Sequence, residues 1–138
     1  MTDCIFCKIA GKEIPAEIVY ENDNVLAFLD IEPSAPGHTV VVPKKHRRDF
    51  MDLPPDEMNG VFGPVQTVVH MLEKALQSEH FTIGVNSGKI LGRHVDHLHI
   101  HVIPRFPDDG GVFLQEVVKN TPPESLKTIK EKILKANG

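Results

Sequence analysis

The stretch "DHLHIHVIPR", residues 96–105, constrains this chain more than any other. Histidine and apolar side chains alternate through it, which is the period of a strand with two different faces. His97, His99, His101 and Ile103 fall on one face, and Leu98, Ile100 and Val102 on the other, which suits a core. Imidazoles in such a row start ~6.6 Å apart, twice the strand rise. The pattern predicts a strand over 96–105, and that strand needs neighbours.

The rest of the chain supplies them. "EIVYEN" (17–22) and "NVLAFLDI" (24–31) read as two strands joined by a turn at Asn22-Asp23-Asn24. "EPSAPG" (32–37) breaks the pattern, and "HTVVVP" (38–43) and "HFTIGVN" (80–86) read as two further strands. From Pro55 the period changes: Met58, Val61, Phe62, Val65, Val68, Val69 and Leu72 follow helical spacing, continued by Ala75 and Leu76. Pro64 inside this helix predicts a kink. Thr121 with Glu124 reads as a capping box opening a short final helix with Leu126, Ile129, Ile133 and Leu134. Residues 106–120 receive no assignment. The expected class is α+β, a mostly antiparallel sheet with one long helix, in a single domain over 1–138.

Charge and composition narrow the function. The net charge of −4 supplies no general attraction for nucleic acid. The run Lys44, Lys45, Arg47 and Arg48 reads as a solvated turn. No apolar run approaches the ~20 residues that span a bilayer. "MTDCIFCKIAG" does not read as a signal peptide, so the expected compartment is the cytoplasm. There thiols stay reduced, and Cys4 and Cys7 read as something other than a structural disulfide.

The residues alone leave three readings of the histidine row. It is a set of locally bonded imidazoles, or part of a catalytic zinc site with a third histidine, or a site where imidazole itself is the nucleophile. Neighbouring imidazoles disfavour one another's protonation, which keeps a nucleophilic nitrogen neutral near pH 7. Gly88 and Gly92 let main-chain amides approach an anion, Asn86 can donate to a phosphate oxygen, and His38 arrives from the neighbouring strand. No Asp/Glu cluster accompanies the row, so a phosphate and a histidine nucleophile fit it best. Cys4-x-x-Cys7 likewise reads as zinc ligands, a redox pair or buried thiols. Zinc needs two more ligands, and His46 and His97 are the candidates.

The motif His-φ-His-φ-His-φ-φ, with φ apolar, resembles the signature of the histidine triad (HIT) family. "CIFCKI", "VYEND", "AFLDI", "PGHTVVVPKKH", "NSG" and "HLHIHVIPR" fall in family order over residues 4–106, most like the bacterial Hint-type branch. The resemblance implies a five-stranded antiparallel sheet that pairs into a ten-stranded sheet in a homodimer. It implies a purine nucleoside monophosphate-type ligand, no nucleic-acid or membrane partner, and a nucleotidyl-histidine intermediate on His99. It makes His101 a proton donor at the leaving group and His38 an orienting residue, with the carbonyl of His97 holding Nδ1 of His99. Asp30 corresponds to the ribose-binding acid. Phe6, Ile9, Phe28, Leu29 and Ile31 correspond to positions around the base, as do Ile5 and Val40. Asn86, Gly92, His94 and Val95 correspond to the phosphate side. Arg93-His94 departs from the family's usual Gln and hydroxyl residue, which bears on the leaving group. Members with the cysteine pair imply one structural zinc per subunit on Cys4, Cys7, His46 and His97, and no catalytic metal. The implied activity is hydrolysis of purine nucleoside phosphoramidates or adenylated compounds. Dinucleoside polyphosphate hydrolysis and a regulatory nucleotide-binding module with little turnover are the alternatives.

Overall fold

The computed structural model describes residues 3–88 and 95–138. Five strands, β1 (Ile18–Glu21), β2 (Val25–Leu29), β3 (Thr39–Pro43), β4 (His80–Gly84) and β5 (Ile100–Arg105), form one sheet in the order β1-β2-β3-β5-β4. Every neighbouring pair is antiparallel. The helices are α1 (Ile5–Ala10), α2 (Met58–Leu76) and α3 (Leu126–Asn137). The expected α+β class and five-stranded antiparallel sheet are what the structure shows.

Local chemistry explains these elements. Asn22 Oδ1 accepts from the amides of Asn24 and Val25, at 2.8 and 2.9 Å, and so closes the β1–β2 turn. β2 and β3 are strung with apolar and β-branched residues, buried on both faces except at Leu29. The two faces belong to two cores. Val25, Ala27, Val41, Ile100 and Val102 pack against Val61, Val65, Val68 and Leu72 of α2. On the other face Leu26, Phe28, Val40 and Val42 pack with Ile9 of α1, with Phe6 at their edge. Residues 55–57 form a 3-10 turn, and α2 begins at Met58 with Pro64 buried within it.

Four expectations need correction. The strand predicted over 96–105 begins at Ile100. Before it, the Leu98 amide bonds to the carbonyl of Arg47 at 2.6 Å and the His97 amide to that of Val95, so no strand ladder runs through His97 and His99. The final helix is capped by Ser125, whose hydroxyl accepts from the Thr128 amide at 3.1 Å; Thr121 is not the cap. Pro122 and Pro123 have no N–H to give Thr121, and Glu124 pairs with Lys132 instead. The basic run after β3 is partly paired: Arg47 grips Glu57 through two nitrogens, and Lys44 lies 2.7 Å from Glu21. Finally, α1 forms where no element was foreseen.

Candidate active site and metal centre

The register across the sheet sets Phe28 opposite Val40, Val40 opposite His101, and His101 opposite Gly84. His101 therefore stands on the face away from α2. His38 enters just ahead of β3, buried, behind the loop that carries Gly37. His97 is fully buried, and His99 is half-buried between them.

Each ring's proton can be placed from its partners. A main-chain N–H only donates and a carbonyl only accepts. The Ser34 amide donates to His38 Nδ1 at 3.0 Å, so the neutral His38 ring carries its proton on Nε2. That nitrogen lies 2.9 Å from His101 Nδ1 and donates to it. His101 then keeps its own proton on Nε2. In the other pair, His99 Nδ1 donates to the carbonyl of His97 at 2.8 Å, which leaves the lone pair on His99 Nε2. Burial holds the pKa of His38 below the ordinary histidine value. Burial, with the rings of His99 and His38 adding, holds His101 down to about 4. Both are neutral near pH 7, as these assignments require. One ring thus offers a nucleophilic nitrogen, and its neighbour 5.1 Å away, centroid to centroid, offers an N–H.

Beside them, Leu29, Asp30 and the loop Pro33–His38 line an open groove of about 460 Å3. Asp30 Oδ2 lies 3.6 Å from His38 Nε2, and its Oδ1 accepts from the Glu32 amide at 2.9 Å, so it also closes a turn. The Phe6 ring meets those of Phe28, His99 and His97 edge-on, with centroids 5.5, 5.2 and 5.9 Å away. Leu29 lines the groove, whereas Ile9, Phe28 and Val40 are buried in the second core. Ile31 is 91% exposed. Asn86 is exposed and Val95 half-buried; Gly92, Arg93 and His94 lie outside the described residues.

The second cluster holds Cys4, Cys7, His46 and His97, whose ligand atoms all lie within 4.8 Å of one another. Cys4 Sγ and Cys7 Sγ are 3.2 and 3.5 Å from His97 Nδ1, and Cys7 Sγ is 3.2 Å from His46 Nδ1. Tetrahedral zinc bonds of ~2.3 Å to sulfur and ~2.05 Å to nitrogen put such atoms ~3.5 Å apart, so the donor set fits zinc. His97 Nε2 donates to the Pro43 carbonyl at 2.8 Å, which turns the lone pair of Nδ1 toward the thiols. Burial pushes the Cys7 thiol up to about 11, with Cys4 adding to it. A bound cation reverses that preference by stabilising thiolate. Asp30, His38 and His101 are also close enough for a metal. Their hydrogen bonds run as a relay, however: a neutral His38 whose Nδ1 accepts from Ser34 has a proton, not a lone pair, on the nitrogen facing the cluster.

Three contributors to the site escaped the sequence reading: the Ser34 amide and the carbonyls of Pro43 and Arg47. They are main-chain groups, so no residue type signals them.

The model of the HIT domain matches residues 11–108. The chain belongs to the HIT family. An uncharacterized HIT-like protein of Methanocaldococcus jannaschii is 48% identical, over 92% of this chain and 98% of its own. The adenosine 5'-monophosphoramidase of Saccharomyces cerevisiae is 34% identical, over 98% of this chain and 84% of its own. A crystal structure from Streptococcus mutans superposes over 100% of this chain and 87% of that one, with a TM-score of 0.87 at 34% identity. A zinc-bound histidine triad family protein of Mycobacterium smegmatis superposes with a TM-score of 0.73 at 33% identity, covering 89% of this chain and 85% of that one. The chain is thus a HIT protein with relatives that are nucleotide hydrolases.

Proposed function

We propose that this HIT protein hydrolyses purine nucleoside 5'-phosphoramidates, or related adenylated compounds, through a nucleotide bound covalently to His99. The observation that carries the reading is the pair of opposed tautomers, a lone pair on His99 Nε2 and an N–H on Nε2 of His101, whose ring lies 5.1 Å away, centroid to centroid. Nε2 of His99 forms a bond to the α-phosphorus as the bond to the leaving group breaks. Negative charge develops on the leaving atom, and the His101 N–H is the donor that stabilises it. Water then cleaves the phosphorus–nitrogen bond, releases the nucleoside monophosphate and restores His99. Asp30 accepts from the ribose hydroxyls with its remaining lone pairs. Phe6, Leu29 and Ile31 face the base. The name and 34% identity of the yeast relative support this substrate class. His99→Ala tests the mechanism: turnover of adenosine 5'-phosphoramidate and any trapped nucleotidyl-protein, read by mass spectrometry, both disappear. Retained turnover would sink it.

Cys4, Cys7, His46 and His97 would hold a structural zinc that clips the N-terminus to the histidine row. A zinc held instead by His97, His99 and a third histidine is disfavoured, because both nitrogens of His97 are already directed, one to Pro43 and one to the thiols.

The reading includes a homodimer joined through β4. Both edges of the sheet are visible, and they differ. β1 has an irregular register, and its Glu21 is flanked by Lys12 and Lys44, features that blunt an edge. β4 carries no Lys, Asp or Glu and exposes Ile83. Pairing at β4 extends five strands to ten. Residues 112–134 also expose Phe113, Val117, Leu126 and Leu134, apolar surface that a second copy would cover.

A further inference from the structure

We infer that Phe6, which sits between the two cysteines, is a positioning residue for His99, and that a metal on Cys4 and Cys7 reaches the nucleophile through it. The inference rests on the reading of His99 as nucleophile and adds a link that neither the triad nor the metal ligands explain. Among the described residues, one hydrogen bond fixes the His99 ring, from Nδ1 to the His97 carbonyl. A single bond at one edge leaves the ring free to tilt about it. Phe6 braces one side at 5.2 Å and 72°, and His101 another at 5.1 Å and 73°, centroid to centroid. Phe6 is in turn backed by Phe28, at 5.5 Å.

Of these supports, the His97 carbonyl and Phe6 depend differently on metal. The His97 carbonyl is held without it: the residue is fully buried, Nε2 bonds to Pro43, and the next amide bonds to Arg47. Phe6 is held less firmly: its ring lies at the edge of the second core against Phe28, but its main chain depends on α1. Its helix α1 has 6 residues, too short to persist by its own hydrogen bonds. The C-terminal half is anchored by Ile9 in the second core, but the first turn is tied through Cys4 and Cys7 to His46 and His97. Cys4 Sγ also caps that turn, accepting from the Cys7 amide at 3.3 Å. Losing the metal frees the turn that carries Phe6 while leaving the His97 carbonyl in place.

The test uses the full-length protein, zinc-loaded and zinc-stripped, as native chain, Phe6→Ala and Phe6→Leu. Three quantities are read: kcat at saturating adenosine 5'-phosphoramidate, the Kd of AMP, and NMR cross-peaks between the Phe6 and His99 rings. Stripping zinc from the native chain is expected to weaken the cross-peaks and to lower kcat about tenfold, since a misplacement near 1 Å costs up to about a hundredfold. Phe6→Ala with zinc bound loses a similar factor, and stripping zinc from it then changes kcat less than about twofold; Phe6→Leu recovers most of the loss. A change in AMP affinity with kcat untouched would make Phe6 a base contact only and overturn the inference. So would fully additive losses, ring cross-peaks that survive zinc removal, or failure to take up one zinc per chain. Absence of turnover in the native protein would count against the nucleophile reading, while the cross-peaks still decide the coupling.

Discussion

At the scale of single residues, the site is a set of directed protons. Four histidines look alike in sequence, yet their ring partners give each a different role: His97 directs Nδ1 to the thiols, His99 keeps a lone pair on Nε2, and His38 and His101 are links in a relay. The depressed pKa of His101 makes this arrangement sensitive to acid. The unfolded chain binds that proton near 6.5 and the folded chain only near 4, so between these values the unfolded state holds more protons. The stability tied to a neutral His101 is complete above about pH 6.5 and is lost as pH falls to about 4, on the order of 3 kcal/mol in all. Urea unfolding of the native chain and of His101→Gln between pH 7 and 4 measures this: the native chain should lose more stability over that window, and equal losses would contradict it. Ser34→Ala should leave activity close to native, because Ser34 acts through its amide. Ser34→Pro removes that amide, should scramble the relay, and should lower kcat about tenfold or more while AMP still binds.

At the scale of elements, each site group depends on how a short segment is held. The loop before β3 turns at Gly37, where φ is +86° and an added Cβ would come within 2.3 Å of Leu76 Cδ1. Gly37→Ala should therefore cost about 1–3 kcal/mol in chemical denaturation, with His38 and the groove disturbed as well. α1 hangs on its cysteines. Chelation, or Cys7→Ser, should lower the melting temperature, with several kcal/mol of folding free energy at stake; calorimetry with and without zinc checks it. The elements also show where periodicity is a weak guide. Alternation of burial ran through residues 98–105, but a ladder needs a partner, and Leu98 finds Arg47 in a loop where Ile100 finds Val41 in β3. The helical period of α2 was legible over its whole length because one stripe meets the sheet and the other meets water. α1 was not legible, since its one full buried residue, Ile9, makes no periodic pattern.

At the scale of the molecule, the exposed apolar arm and the bare β4 edge bear on assembly. Sedimentation should give a mass near twice 15.4 kDa, and Ile83→Lys, which places a charge on the β4 edge, should shift it toward the monomer. The charge is unevenly placed: residues 119–138 carry 5 basic and 2 acidic side chains, against 10 and 17 in residues 1–118. If copies pair so that the +3 arm meets the −7 body, their association should weaken with added salt in sedimentation. The class of fold, the strand identities, the long helix and the family were legible from residue order, because they follow from periods and motifs written in neighbouring residues. The sequence also named the cysteines and histidines that the structure brings together. Which nitrogen of each ring carries a proton, and the contact of Phe6 with His99, emerge only from the folded chain. Those facts depend on the amide of Ser34, the carbonyls of Pro43, Arg47 and His97, and a helix folded back over the sheet. Main-chain groups are the same at every position, so what they do is set by where the fold puts them.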